Sequence, residues 1–161
     1  MKNKFEILEI AKKTLQTEAE GIIQVSALLN DDFSEIVHQI LYLNARVIVT
    51  GIGKSAIIGQ KIVATFNSTG TPAIFMHAAD AIHGDLGMIQ KNDLIICISK
   101  SGNTPEIKVL TPLLKQGGNK LVGIVGDMNS YLAKQSDWVL DTTVRQEACP
   151  LNLAPTTSTT A

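Results

Sequence analysis

Two short segments of this chain gather the residue types that handle phosphate. Thr50-Gly51-Ile52-Gly53-Lys54-Ser55 follows an apolar run; its two glycines let the backbone pass close to a ligand, and Lys54 supplies a positive charge. Ser99-Lys100-Ser101-Gly102-Asn103-Thr104-Pro105-Glu106 follows another, with Thr104 placed to be an N-cap and Pro105 suited to the first helical position. Hydroxyls and free backbone amides at a helix N-terminus make a binding site for a phosphate dianion. A third segment, His77 to Met88, is polar where a connection can be plain, and holds His77, Asp80, His83, Gly84 and Asp85.

The surrounding elements must bring these segments together. From Phe5 to about Leu29 the residues Leu8, Ala11, Leu15, Ala19 and Ile22 recur at steps of three and four, which predicts a long amphipathic helix. Asp31 and Asp32 can cap a second helix that turns Ile36, Val37, Ile40 and Leu41 to the core and ends at Asn44 and Ala45. Five β-prone runs follow: Arg46–Thr50, Ala73–Met76, Leu94–Ser99, Leu121–Val125 and Trp138–Leu140. Helical stretches lie between most of them, at Lys54–Ser68, Thr104–Gln116 and Ser130–Gln135. The order predicts an α/β fold, a three-layer α/β/α arrangement around a five-stranded, mostly parallel sheet. Leu94 to Ile98 is continuously apolar and reads as a central strand buried on both faces. In such a sheet the usable crevice lies beyond the carboxyl ends of the strands, so the three segments are expected to face one crevice. No linker or internal repeat divides the chain, and residues 1–161 read as one domain with an irregular tail from Glu147, interrupted by Pro150 and Pro155.

Composition excludes several function classes. At 161 residues, 45% apolar and 18% charged, the chain suits an ordinary globular core. A formal charge of -1, from 14 basic and 15 acidic residues, gives no broad cationic face for nucleic acid or an anionic membrane, so attraction for an anion must be local. Apolar runs such as Leu94–Ile98 fall far short of the roughly 20 residues of a membrane-spanning helix. Met1 to Lys4, with Phe5, Glu6 and Glu9, lacks a signal peptide's apolar stretch, so a cytoplasmic location is expected. Cys97, inside a strand, and Cys149, before Pro150, match neither a zinc site nor a redox pair.

Known phosphate signatures fit poorly. A Walker A loop needs glycine where Ile48 stands. Gly51-x-Gly53-x-x-Ala56 fits the dinucleotide fingerprint, but the next strand ends in Met76-His77 where an acidic residue should hold a ribose. His77 and His83 match no strong metal spacing, and neither a metal nor a cofactor is expected.

Taken together, Gly51-Ile-Gly-Lys-Ser55, His83-Gly-Asp-Leu-Gly-Met88, Ser99-x-Ser-Gly102 and Glu147-Ala-Cys-Pro-Leu151 through Ala154-Pro-Thr156 resemble the sugar isomerase (SIS) domain of D-arabinose-5-phosphate isomerases. Lys61 to Pro72 continues the similarity, which runs from about residue 15 to the end. The resemblance implies a flavodoxin-like architecture and reversible conversion of D-arabinose 5-phosphate and D-ribulose 5-phosphate. That step feeds synthesis of the eight-carbon sugar acid Kdo for lipopolysaccharide or capsule. A metal-independent tetramer is also implied. Carried over by matching position, phosphate binding falls on Ser99, Ser101, Gly102 and Thr104, with Ser55 and the glycines Gly51 and Gly53 close by. The catalytic groups fall on Lys54, His83, Glu106 and Glu147. Isomerisation moves a proton between C1 and C2 through an enediol and needs a base and donors for the developing oxyanion. Glu147 or His83 can be the base, and Lys54 can stabilise the oxyanion.

Each assignment has a structural counterpart: Glu106 suits a helix start, His83 beside Gly84 suits a turn, and Glu147 suits a solvated loop. The chain departs from the family pattern at Ala78, Asp80 and Asn103-Thr104. It also stops at Ala161, before the family's last helix, its catalytic histidine and the regulatory CBS domains. The domain is therefore expected to be truncated at its C-terminal end. Two other functions are compatible with the residues: a non-catalytic phosphosugar-binding regulatory domain, and an isomerase of another phosphosugar. The apolar stripe of the first helix predicts a homo-oligomer.

Overall fold

β-branched and aliphatic residues dominate the five predicted runs, and each forms a strand in the computed structural model, which describes residues 3–161. Met1 and Lys2, the first residues of the segment read for a signal peptide, lie outside it. The strands are β1 (Val47–Gly51), β2 (Ala73–His77), β3 (Leu94–Ser99), β4 (Lys120–Val125) and β5 (Trp138–Asp141). Their order is β2-β1-β3-β4-β5 and every pairing is parallel, so the sheet is wholly rather than mostly parallel. β3 is central and buried along its whole length, as its unbroken apolar run predicts.

Alternation along the strands sends side chains to two cores. Ile48, Met76, Ile95, Cys97 and Leu121 pack on one face beneath α5 (Pro105–Gln116) and α6 (Tyr131–Gln135). Val47, Val49, Leu94, Ile96 and Ile98 pack on the other, where Ile36 and Ile40 of α2 (Asp31–Leu41) and Ile58 and Ile62 of α3 (Lys54–Ser68) cover them. The chain therefore leaves β1 for α3 on one face and β3 for α5 on the other. A crevice opens between the carboxyl ends of these adjacent strands, at the topological switch point.

At the opposite ends of the strands, Arg46 donates from Nη2 to Asp93 Oδ2 at 2.7 Å and to the Met88 carbonyl at 2.8 Å. Asn119 Nδ2 donates to the carbonyls of Gln90 and Asp93. Burial raises the Asp93 carboxyl, but Arg46 and the Gln90 amide outweigh burial and hold it below the usual carboxylate range. This network fixes the approach to β1, β3 and β4.

The first helix differs from its prediction in what it buries. α1 (Lys4–Ser26) starts with a capping box between Asn3 and Glu6, yet Leu8, Leu15 and Ile22 of the apolar stripe are exposed and Gly21 alone is buried. Gly21 lies against α7 (Thr157–Thr160), so close that a Cβ there would sit 2.3 Å from Thr157 Cγ2. The cap of α2 is Asn30, whose side chain accepts from the Asp32 amide; Asp31 and Asp32 form the first turn instead. The Asp32 carboxylate is thereby free to accept from the Val139 amide of β5 at 2.8 Å, docking α2 on that strand.

Candidate functional site

A cavity of about 830 Å³ lies beyond the carboxyl ends of β1 and β3, on the α3 face of the sheet. Its polar wall carries Lys54, Ser55, Ser99, Lys100, Ser101 and Thr104, and its apolar wall carries Leu29, Phe33, Ile58, Ile62, Ile124 and Leu140. Ser158, Thr159 and Ala161, at the end of the tail, form a further edge.

The Ser99–Thr104 loop is braced by its own bonds and by α6. Ser99 Oγ accepts from the Gly102 amide at 3.1 Å, Asn103 Oδ1 accepts from the Tyr131 amide at 3.0 Å, and the Gly102 carbonyl accepts from the Leu132 amide at 3.0 Å. Gly102 has φ +60°, and a Cβ there would lie 2.2 Å from Ser130 Oγ, so conformation and space both demand glycine. Thr104 occupies the N-cap position of α5 as predicted, but its hydroxyl makes no capping bond. Thr104 Oγ1 is instead buried without any hydrogen-bond partner. A buried hydroxyl without a partner is uncommon, and this one stands at an uncapped helix N-terminus beside a cavity. On the β1 side, Gly53 (φ +60°) turns the chain into α3 and leaves Lys54 exposed at its first turn. Gly51 marks close contact of strands: a Cβ would meet the Ile98 carbonyl oxygen at 3.1 Å.

Glu147 is 2% exposed, not solvated. Its carboxylate accepts from the Thr156 amide at 2.8 Å, Thr156 Oγ1 at 3.1 Å, the Ser158 amide at 3.2 Å, Ser158 Oγ, and Lys100 Nζ. Burial pushes this carboxyl up, but Lys100, Ser158 and the Thr156 amide outweigh it and hold the pKa at about 2. Lys100 is absent from the sequence-based set. It is the unspecified residue within Ser99-x-Ser-Gly102, and its partner lies 47 residues away.

Five of the predicted residues, Lys54, Ser55, Ser99, Ser101 and Thr104, share this cavity, and Gly51, Gly53 and Gly102 shape its loops. Glu147 reaches it through Lys100 and Ser158. His83 and Glu106 do not line it. Ala78 and Ala81 of α4 (Ala78–Ala81) are buried in the core beneath α5, on the other face of the sheet from the cavity, while His77 ends β2 in register with Gly51 of β1. His83 is exposed on the turn that follows, and Glu106 is half-buried in the first turn of α5. Among the described residues, no three His, Cys, Asp or Glu side chains form a group suited to a metal ion.

A parallel sheet in the order 2-1-3-4-5 with a cavity at its switch point defines a flavodoxin-like α/β fold. Residues 40–161 match the family model described as SIS domain, and the chain belongs to that family. It is 45% identical over 160 residues to the arabinose 5-phosphate isomerase KdsD of Pseudomonas aeruginosa, covering 99% of this chain and 49% of that protein. It is 48% identical over 153 residues to the KdsD of Yersinia pestis, covering 95% and 47%. The chain thus spans about half the length of these curated relatives. Among solved structures, Escherichia coli CFT073 c3406 in complex with arabinose 5-phosphate superposes with a TM-score of 0.94 at 37% identity, covering 99% of this chain and 85% of that one.

Proposed function

We propose that this chain is an aldose-ketose isomerase that interconverts D-arabinose 5-phosphate and D-ribulose 5-phosphate through an enediol. The observation that carries the reading is Thr104: a buried, unpartnered hydroxyl at the uncapped N-terminus of α5, beside Ser99, Ser101 and Lys54 at the switch point. In this reading the phosphate rests on Ser99, Ser101, Gly102 and Thr104, with Ser55, Gly51 and Gly53 alongside. Neutral hydroxyls and helix-terminal amides suit a dianion, and in this reading Lys54 stabilises the C1 or C2 oxyanion. The activity named for the two KdsD relatives and the arabinose 5-phosphate bound to c3406 support the same substrate.

Glu147 and His83 are the two candidates for the base, and Glu106 is proposed to act near the substrate from the start of α5. A general base works best with a pKa near the working pH, and a carboxyl held at about 2 by Lys100 is a weak one until that contact loosens. The same observation favours a second reading, a phosphosugar-binding regulatory domain without turnover. Solvent deuterium incorporation into both pentose phosphates, followed by NMR, tests these readings with the parent chain, Glu147→Gln and His83→Asn. Exchange at C1 or C2 that one variant abolishes supports isomerisation and identifies the base. Binding without exchange in the parent supports the regulatory reading, and no binding sinks both. The proposal extends to a cytoplasmic role in supplying Kdo synthesis and to a homo-oligomer, a tetramer by resemblance to the family.

A further inference from the structure

The cavity edge formed by the tail is held on one side by α1, where Thr157 packs against Gly21, and on the other by the loop after β3. Ser158, Thr159 and Ala161 contribute to the cavity, and the tail is organised around Glu147 through the amides and hydroxyls of Thr156 and Ser158. The Ser99–Thr104 loop forms the facing wall. Among the described residues, the ion pair between Lys100 and Glu147 is the only hydrogen bond joining residues 99–104 to residues 147–161.

We infer that Lys100 is a positioning residue for the phosphosugar: paired with Glu147, it clasps the 147–161 segment onto the Ser99–Thr104 loop and so sets the edge of the cavity. The inference rests on the phosphosugar reading for its ligand, but the clasp itself does not. The asymmetry of the pair supports it. Glu147 is buried and already satisfied by four neutral donors, so its position belongs to the tail, whereas the Lys100 side chain is 48% exposed and rises from the loop. A long, half-exposed ammonium on one wall and a buried carboxylate on the other form a tie whose loss loosens the tail from the Ser99–Thr104 loop while Thr157 stays packed on Gly21. The backbone of Lys100 is held separately, because its carbonyl accepts from the Gly126 amide at 2.8 Å. Replacing the side chain therefore leaves the loop backbone anchored.

The test uses the full chain with Lys100→Met, Lys100→Arg, Glu147→Gln and the Lys100→Met/Glu147→Gln pair. Amide hydrogen exchange is read without ligand, and D-arabinose 5-phosphate affinity is read by calorimetry. Lys100→Met is expected to speed exchange at Thr156 and Ser158 at least about fivefold, while amides of β3 and α5 keep their protection. Affinity is expected to fall about tenfold, Lys100→Arg to recover most of it, and the double variant to bind like Glu147→Gln alone, because both changes break one tie. Unchanged exchange in the tail would overturn the inference. So would additive losses in the double variant, which would mean that Lys100 contacts the phosphate directly. If the parent chain binds no pentose phosphate, the functional reading fails while the exchange experiment still decides the clasp.

Discussion

Thr104 separates what the free protein needs from what a ligand needs. Its buried hydroxyl has no partner, so removing it deletes an unsatisfied group and not a bond. Thr104→Val is therefore expected to leave the melting temperature unchanged or slightly raised in thermal unfolding. The same variant is expected to weaken D-arabinose 5-phosphate binding about tenfold in calorimetry, since a hydrogen bond to a charged acceptor contributes about 1.5 kcal/mol or more. Loss of stability without loss of affinity would make the hydroxyl a packing group. Glu147 carries the opposite signature. Its carboxyl is held at about 2 in the folded chain against an ordinary 4.5, so it adds stability above the unfolded value and loses that contribution as pH falls from about 4.5 to 2. Glu147→Gln is expected to flatten the pH dependence of unfolding across that window, measured by denaturant titration at successive pH values. Asp93 and Asp137, also lowered, leave a residual slope in the variant.

At the scale of elements, the contact between α1 and α7 leaves no room for a side chain at Gly21. Gly21→Ala would place a methyl group within 2.3 Å of Thr157 Cγ2, so α7 must move away or α1 must bend. Because Ser158, Thr159 and Ala161 border the cavity, this change, with no polar group altered, is expected to cost about 1–3 kcal/mol of stability and to lower pentose phosphate affinity. Thermal unfolding and calorimetry on the same variant check both effects. The elements themselves are legible in the sequence because periodicity is local. All five strands and α3 follow from it to within a residue or so, with α3 matching Lys54–Ser68 at both ends. The cap of α2 is not resolved by that logic, since Asn30, Asp31 and Asp32 are all good capping types and only the backbone of Asn30 is extended. The hydroxyl-rich loop is legible because its chemistry is contiguous. The Lys100–Glu147 pair is not, because it joins residues far apart in the chain whose meeting depends on the tail's path. The placement of the His77–Met88 segment is also hidden: residue types mark it as polar, but the sheet face it crosses follows from the assembled topology.

For the whole molecule, the sheet order matters more than any single motif. It puts α3 and α5 on opposite faces and their N-termini at one crevice, so a chain with formal charge -1 still gathers Lys54 and an uncapped helix end beside one cavity. The exposed stripe of α1 is the counterpart on the outer surface. Leu8 and Leu15 are 59% and 68% exposed, and the periodicity that predicts a buried face is real even though this chain's own core does not cover it. Self-association through α1 is the expected consequence. Sedimentation at micromolar concentration should report an oligomer that Leu8→Glu/Leu15→Glu dissociates, whereas a monomeric parent would leave the stripe without this role.

The bond from Val139 to Asp32 bears on how safely the molecule can be made. β5 is an edge strand, paired only with β4, and such an edge offers free amides to any passing strand. Asp32 occupies one of them and places a negative charge beside it. Since α2 precedes β5 by about a hundred residues in synthesis, the protecting carboxylate exists before the strand it protects, separated from Val139 by 107 positions. Asp32 thus satisfies an outer amide at the half-buried border of the sheet as well as docking a helix.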